Sequence, residues 1–299
     1  MANKSPLLNV IFQSLNKVTR KLLRDFGEIE NLQLSPNSIM EFVSKTENQI
    51  HISLNEDLYK ARPEWEFKSS VNKNEKDKYY WIIDTLNGKI NFSHGFPHFA
   101  ISIAVEYNNE IVTAVIIDPL RDEIYFAEKG KGSFLNDRRI RVSKRNALNS
   151  CIFSIYNDII PNSNLNNKKD YEMIKNLVFE NSLVTREFGS SALSFAWLAS
   201  GKIDCFLSNN LNMNEVACGE LLIKEAGGYW IGFGIESGSQ KVLEIMKKNL
   251  DLEVAKKNVA LAKSLGFFVG ANCIMGYPGE TREDMKQSIH FFEKLGLDS

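Results

Sequence analysis

Residues 79–92 read Tyr-Tyr-Trp-Ile-Ile-Asp-Thr-Leu-Asn-Gly-Lys-Ile-Asn-Phe. The aromatic and apolar run through Ile83 predicts a buried strand of the kind that lies between helices. The strand is predicted to end at Asp84, and Asn87-Gly88 predicts a tight turn after it. Such a turn can direct backbone groups at a ligand, so a strand-end carboxylate beside it suits a cation or a phosphate. The stretch therefore predicts a ligand site.

The segments on either side of this stretch predict a mixed α/β chain. Helical spacing of apolar residues predicts helices from Leu7 to Phe26 and from Thr46 to Lys60. Short β-rich runs after residue 98 predict an antiparallel meander. The meander strands are Phe99–Tyr107, Ile111–Asp118 and Glu123–Ala127; helices follow at 171–179, 190–200 and 214–226, and strands at 183–186 and 203–206.

The composition excludes several classes of protein. The 36 basic and 37 acidic residues nearly cancel, which predicts no nucleic-acid partner. The four cysteines form no C-x-x-C pair, which is typical of free thiols in a reducing compartment. No apolar stretch of about 18 residues is present, so no membrane span is predicted. We expect a cytoplasmic protein.

The opening stretch resembles the signature of the inositol monophosphatase family, Asp-Pro-(Leu/Ile)-Asp-Gly-Thr-Thr-Asn-Phe. The resemblance continues through His94-Gly95-Phe96-Pro97 and residues 128–134, and it covers about residues 7–229. It implies an α/β fold, a layered α/β sandwich of the inositol monophosphatase type. It also implies a Mg²⁺-dependent phosphomonoesterase that acts on a small phosphorylated substrate such as an inositol phosphate, and a possible homodimer.

The resemblance implies metal ligands residue by residue. Asp84 matches the first metal aspartate, and the backbone carbonyl of Leu86 lies where the family uses a carbonyl ligand. Asn87 replaces a metal aspartate, and Glu215 replaces the aspartate of the Trp-Asp-Val-Ala-Ala-Gly motif. Lys89 stands where the family has the catalytic threonine that orients the attacking water.

Two further family positions depend on the register before residue 79. Ala61-Arg62-Pro63 resembles the segment that leads into the family's paired glutamates. In the register that keeps Phe67 in the preceding strand, the pair falls at Ser70 and Val71, so both carboxylates are lost. An ungapped register would instead place Glu64 at the metal position.

The resemblance also implies substrate-binding positions, whereas three other reactive residues are interpreted as structural. Gly88 and the turn Gly189-Ser190-Ser191 match substrate-binding positions, and the latter begins a helix whose N–H groups suit an anion. His94 and His98 have no partners at metal-ligand spacing and are interpreted as structural. Cys218, on an apolar helix face, is interpreted as a core residue rather than a nucleophile.

Charge counting predicts a weakened site. Of the four family carboxylates, only Asp84 and Glu215 have counterparts, and Lys89 adds a positive charge if it points inward. We therefore expect weak or absent Mg²⁺ binding and an impaired or inactive phosphatase. Two alternatives stay open: Asp84 and Asn87 only cap a turn, or Lys89 replaces a cation in a non-catalytic phosphate-binding or regulatory protein.

The last 70 residues resemble a different family. Residues 232–239 and 275–281 are similar to two motifs of cobalamin-type radical S-adenosylmethionine enzymes, which implies cofactor contacts for Glu236 and Ser237. The C-x₃-C-x₂-C loop is absent, so no iron–sulfur cluster is expected and the site would be vestigial. The β-α-α-β-α alternation, with a capping box at Thr281, predicts a parallel sheet and a partial βα-barrel fragment.

The two resemblances together predict two incomplete domains. The first, residues 1–229, is an inositol-monophosphatase-like domain truncated at its C-terminus, and the second is the fragment 230–299. A junction at Tyr229–Trp230 gives a third hypothesis, a non-functional chimera of two gene fragments.

Overall fold

The structure of the protein is a computed structural model. It describes residues 4–29, 36–68, 76–145, 147–156, 175–208, 211–228, 230–248, 250–264 and 268–297. These residues form two compact units, one with the described residues up to 156 and from 175 to 227, the other with those from 228 onward. No described helix combines the length and apolar character that a membrane crossing requires.

The first unit is built on a seven-stranded sheet in which the strands lie side by side in chain order. The predicted meander is confirmed, because β2 to β7 pair antiparallel, whereas the short β1 pairs parallel with β2. The strands are β1 (Glu66–Phe67), β2 (Tyr79–Asn87), β3 (Ala100–Tyr107), β4 (Glu110–Asp118), β5 (Glu123–Glu128), β6 (Gly132–Leu135) and β7 (Arg138–Arg139).

Two long helices cover one face of this sheet, α1 (Pro6–Ile29) and α2 (Pro36–Ala61). They pack on the large β-branched residues of the central strands, such as Ile101 and Ile103. The prediction that α2 begins at Thr46 was wrong by ten residues, because Val43 and its apolar neighbours extend the buried stripe toward the N-terminus.

Small residues line the opposite face of the sheet. Ala100 and Ala104 alternate with the large residues along β3, and they meet α5 (Ser191–Ala199) and α6 (Met213–Glu225). α5 and α6 approach each other closely, since a Cβ on Gly219 would lie 2.3 Å from the Phe195 ring. The sheet is therefore the middle layer of a three-layer unit, and the small residues let α5 approach the end of β2.

The remaining elements of the first unit are short. A three-stranded parallel sheet has the order β10-β8-β9. The bounds are α3 (Lys89–Ser93), a 3₁₀ turn at Leu148–Ser150, β8 (Ile152–Tyr156), α4 (described over residues 175–181), β9 (Val184–Glu187) and β10 (Cys205–Ser208). Residues 171–174 of the helix predicted at 171–179 lie outside the described residues.

The second unit has the predicted β-α-α-β-α order. Its two strands pair in parallel, and a separate apolar cluster that includes Ile235, Val259 and Leu295 forms its core. The predicted capping box at Thr281 is confirmed. The bounds are β11 (Trp230–Glu236), α7 (Gln240–Ile245), α8 (Leu252–Ser264), β12 (Phe268–Cys273) and α9 (Arg282–Leu295).

Candidate functional site

The candidate site is the turn of residues 84–89, called here the β2 turn. The strand does not end at Asp84 as predicted: it continues to Asn87 after an irregularity in its pairing with β3. Gly88 then adopts φ +89°, and a Cβ there would lie 2.8 Å from the carbonyl oxygen of His98. Only glycine fits this position, because both the backbone conformation and the space exclude a side chain.

Asn87 is the centre of a buried hydrogen-bond network. Its amide nitrogen donates to Asp84 Oδ2 (2.8 Å) and to Ser191 Oγ (2.9 Å). Its amide oxygen accepts from Ser190 Oγ (2.7 Å) and from the backbone N–H of Ala192 (3.0 Å). All four hydrogen-bonding positions of the amide are therefore filled. The residue joins the end of β2 to the start of α5.

Asp84 is a half-buried carboxylate in an unfavourable electrostatic environment. Its pKa is raised from 3.8 to about 6: burial is the largest cause, the hydrogen bond from Asn87 opposes the shift, and the negative charges of Glu215 and Glu47 add to it. The backbone N–H of Leu86 also lowers the pKa of Asp84 by hydrogen bonding. Leu86, whose carbonyl is a predicted ligand, is itself buried.

Lys89 is paired with a carboxylate that the sequence analysis did not identify. Its ammonium group donates to Glu47 Oε2 at 2.5 Å, and both side chains are about one-third exposed. Glu47 lies on the same face of α2 as the buried Val43, Ile50 and Leu54, in a helical 43-47-50-54 spacing. This helical spacing is the sequence pattern from which the position of Glu47 could have been predicted. It places a polar residue on the face of α2 that packs against the sheet.

At the start of α5, backbone N–H groups donate hydrogen bonds to side chains of the protein itself. Ser190 and Ser191 are fully buried, and Gly189 precedes them with φ +73°. Ser190 is the N-cap and accepts from the N–H of Leu193, while Asn87 accepts from the N–H of Ala192. The N–H groups of these two residues are thus engaged within the chain.

Glu215 joins the network through Ser191, whose hydroxyl donates to Glu215 Oε1 at 3.2 Å. The same carboxylate is half of a capping box, because its Oε2 accepts from the N–H of Asn212 at 3.0 Å. Glu215 therefore stabilises the first turn of α6 and approaches the β2 turn at the same time. Among the described residues, no three or more His, Cys, Asp or Glu side chains are arranged to hold a metal ion.

The other predicted positions have mixed outcomes. Ser70 and Val71 lie outside the described residues, and Glu64 is exposed. His98 is buried between the Phe188 and Trp197 rings. The interpretation of Cys218 as a core residue is confirmed: it is 1% exposed, and its Sγ lies 3.5 Å from the carbonyl oxygen of Val115.

The predicted cofactor contacts of the second unit are engaged internally. Glu236 forms an ion pair with Lys248 at 3.0 Å. Ser237 is fully buried, shares a hydrogen bond of 3.0 Å with Ser288 and accepts from the N–H of Ser239. These two side chains therefore have partners within their own unit.

A three-layer α/β unit with a polar turn at the end of its second strand defines the class of the protein, and solved structures of this class match it. The extragenic suppressor protein suhB of Bartonella henselae aligns with a TM-score of 0.64 and 34% identity, over 75% of this chain and 86% of that one. An IMPase from Thermotoga maritima aligns with a TM-score of 0.62 and 28% identity, over 75% and 85%. The fold is the α/β fold of the inositol monophosphatase type.

Sequence comparison agrees with the fold. The model of the inositol monophosphatase family matches residues 3–262, which extends beyond the predicted junction at residue 229. The inositol-1-monophosphatase of Rhizobium meliloti is 40% identical over 229 residues, 76% of this chain and 85% of that protein. The putative Nus factor SuhB of Neisseria meningitidis serogroup B is 31% identical over 263 residues, 84% of this chain and all of that protein. The chain belongs to the inositol monophosphatase family.

Proposed function

We propose that this protein is a divergent member of its family in which Mg²⁺-dependent hydrolysis of an inositol phosphate or similar phosphomonoester is impaired or lost. The family itself is Mg²⁺-dependent and acts on small phosphorylated substrates. The observation that carries the proposal is the saturated amide of Asn87, which donates to Asp84 at 2.8 Å. An amide nitrogen cannot bind a cation, and here it points at the carboxylate that would bind one.

The charges around the β2 turn support the same proposal. Asp84 and Glu215 remain, but the ammonium group of Lys89 forms an ion pair with Glu47. The negative charge of Glu47 in turn raises the pKa of Asp84. Two divalent cations a few ångströms apart repel strongly and need several carboxylates to offset that repulsion. The described residues do not fit a two-metal site.

The test is a phosphatase assay of the full chain with inositol monophosphate across a Mg²⁺ titration. We expect turnover at least 100-fold below that of a family phosphatase assayed in parallel. The triple variant Asn87→Asp, Lys89→Thr and Ser70→Glu should regain activity, because it restores two carboxylates and removes one cation. A matched control, Asn136→Asp with Lys129→Thr and Ser150→Glu, makes the same chemical changes away from the site. Wild-type turnover at family rates would refute the proposal.

An alternative function on the same fold is phosphate binding without hydrolysis, in a regulatory protein. It is favoured by Lys89, whose side chain lies in the β2 turn, is about one-third exposed and could take the place of one cation. Calorimetric titration with inositol monophosphate in EDTA separates the two. Binding that is lost in Lys89→Thr but kept in Lys129→Thr would favour the regulatory protein over a merely impaired enzyme.

The second unit supports the further proposal of a chimera in which a truncated phosphatase-like domain meets a radical-enzyme fragment. Its strands β11 and β12 pair with each other among the described residues, and its core cluster is its own. Genomic reads should be examined across codons 225 to 235. Even, continuous coverage excludes an assembly error, and a monodisperse full chain that unfolds cooperatively would argue against two incomplete domains.

A further inference from the structure

A dense group of basic residues begins in the edge strand β7 and continues after it. Residues 138–145 read Arg-Arg-Ile-Arg-Val-Ser-Lys-Arg, with five cationic side chains and no acidic one, and all five are exposed. We call these residues the basic segment. The near-zero charge of the whole chain conceals this local excess, because the compensating carboxylates are distributed elsewhere.

Four of the five cations have no carboxylate partner among the described residues: Arg138, Arg139, Arg141 and Lys144. The fifth, Arg145, donates to the buried Asp204 at 2.7 Å. Lysines on nearby parts of the same unit behave differently, since Lys129 pairs with Glu110, Lys131 with Glu128, and Lys202 with Glu123. An exposed cluster of like charges without counterions costs repulsion, and a polyanion would relieve that repulsion.

The backbone of the basic segment is held while its cations face solvent. Alternate N–H groups are used for anchoring: Ile140 donates to the Ser133 carbonyl at 2.9 Å and Val142 to the Ala226 carbonyl at 3.1 Å. In an extended chain, alternate side chains such as those of Arg139 and Arg141 are about 6.7 Å apart. This distance is close to twice the spacing of the phosphate charges along one nucleic-acid strand, which recur about every 3.4 Å along the helix axis.

The composition of the segment distinguishes between polyanions. Three of the four unpaired cations are arginines, whose planar guanidinium groups bind phosphate oxygens in pairs. The two apolar residues, Ile140 and Val142, are half-buried and pack against the apolar cluster between the sheet and α5 and α6, which disfavours their insertion into a lipid surface. We propose that the basic segment binds the phosphodiester backbone of a nucleic-acid strand without reading its sequence.

The test is fluorescence anisotropy of the full chain with a labelled 16-nucleotide oligouridine and the corresponding oligothymidine, between 50 and 200 mM salt. With four contacts, the logarithm of the binding constant should fall with the logarithm of salt concentration with a slope of about −3. The variant Arg138→Gln, Arg141→Gln and Lys144→Gln should reduce that slope to about −1 and weaken binding about 100-fold at 50 mM salt. Arg139 is kept, because its side chain packs over Gly132.

The matched control is Arg20→Gln, Lys60→Gln and Arg186→Gln, which removes the same three charges from exposed positions without a carboxylate partner among the described residues. It should bind within about threefold of the wild type. Arg138→Lys with Arg141→Lys keeps the charge and should keep the slope, which separates charge from folding. Equal losses in both triple variants, no salt-dependent binding, or binding of phosphatidylserine vesicles without binding of either oligonucleotide would each overturn the proposal.

Discussion

The β2 turn and the basic segment lie near opposite edges of one seven-stranded sheet, and their polar groups are used in opposite ways. In the β2 turn, Asn87 fills all its hydrogen-bonding positions within the chain, and Lys89 is paired. In the basic segment, four cations lie without carboxylate partners among the described residues. The polar groups of the β2 turn are thus satisfied within the chain, whereas the four cations of the basic segment are available for the polyanion proposed above.

The largest effect should follow Gly88→Ala, which tests whether the β2 turn is as tightly closed as its contacts indicate. The new Cβ would meet three backbone atoms, at 2.8 Å from His98 O, 3.2 Å from Phe99 Cα and 3.3 Å from Gly189 O, at φ +89°. We expect a loss of about 4 kcal/mol in the free energy of unfolding, measured by urea denaturation. Gly130→Ala is the control, because it shares a positive φ but has nothing within 4 Å, and it should cost about 1 kcal/mol. Equal costs would show that the turn has room.

The next effect concerns pH and the buried His98, which packs against the β2 turn. The pKa of His98 is lowered from 6.5 to about 4, mainly by burial and in addition by the positive charge of Arg121. The unfolded chain therefore binds the proton more readily. The stabilising contribution of neutral His98 is complete above pH 6.5 and is lost as the pH falls to 4.

This loss amounts to about 3 kcal/mol between those two pH values. His98→Gln should remove that part of the pH dependence when unfolding is followed in urea at each pH. His290→Gln, at an exposed position of the second unit, controls for the substitution itself. A His98→Gln profile parallel to the wild type between pH 6.5 and 4 would contradict the assignment.

The fold was largely predictable, and the site was predictable only in part. Periodicity identified α1 and the meander, and a local motif identified the capping box at Thr281, because these signals depend on neighbours in sequence. The start of α2 was missed although Ile39, Phe42 and Val43 continue the apolar spacing toward the N-terminus. Patterns among neighbouring residues are sufficient to predict elements whose stabilising contacts lie three or four residues apart in sequence.

The site depends on contacts that no local pattern contains. Asp84 and Asn87 were identified from the sequence, but the partners that determine the role of Asn87 are Ser190, Ser191 and Ala192, more than 100 residues away. Counting carboxylates by family position also omitted Glu47, because its importance comes from the approach of α2 to the β2 turn. Charge at a site is a property of the packed elements rather than of one motif.

A smaller effect should follow Asn87→Asp alone in the absence of Mg²⁺. The new carboxylate keeps the bonds from Ser190 and Ala192 but loses both donors, and it faces the Asp84 carboxylate. We expect destabilisation by about 2 kcal/mol, measured by urea unfolding in EDTA. If the variant acquires a metal site, 10 mM Mg²⁺ should restore stability in the variant and leave the wild type unchanged. An equally stable Asn87→Asp protein in EDTA would show that the network is not specific for an amide.

The smallest effects compare Arg145, which has a carboxylate partner, with Arg141, which has none among the described residues. Arg145 donates to Asp204, whose side chain is 1% exposed, and also to the Gly201 carbonyl at 3.0 Å. Arg145→Gln leaves that buried carboxylate with fewer donors and should cost about 1 kcal/mol by urea unfolding. Arg141→Gln removes no side-chain hydrogen bond or ion pair among the described residues and should change stability by less than about 0.5 kcal/mol. A larger cost for Arg141→Gln would mean that the charge of Arg141 stabilises the fold. The basic segment would then have its polar groups satisfied within the chain, as the β2 turn does.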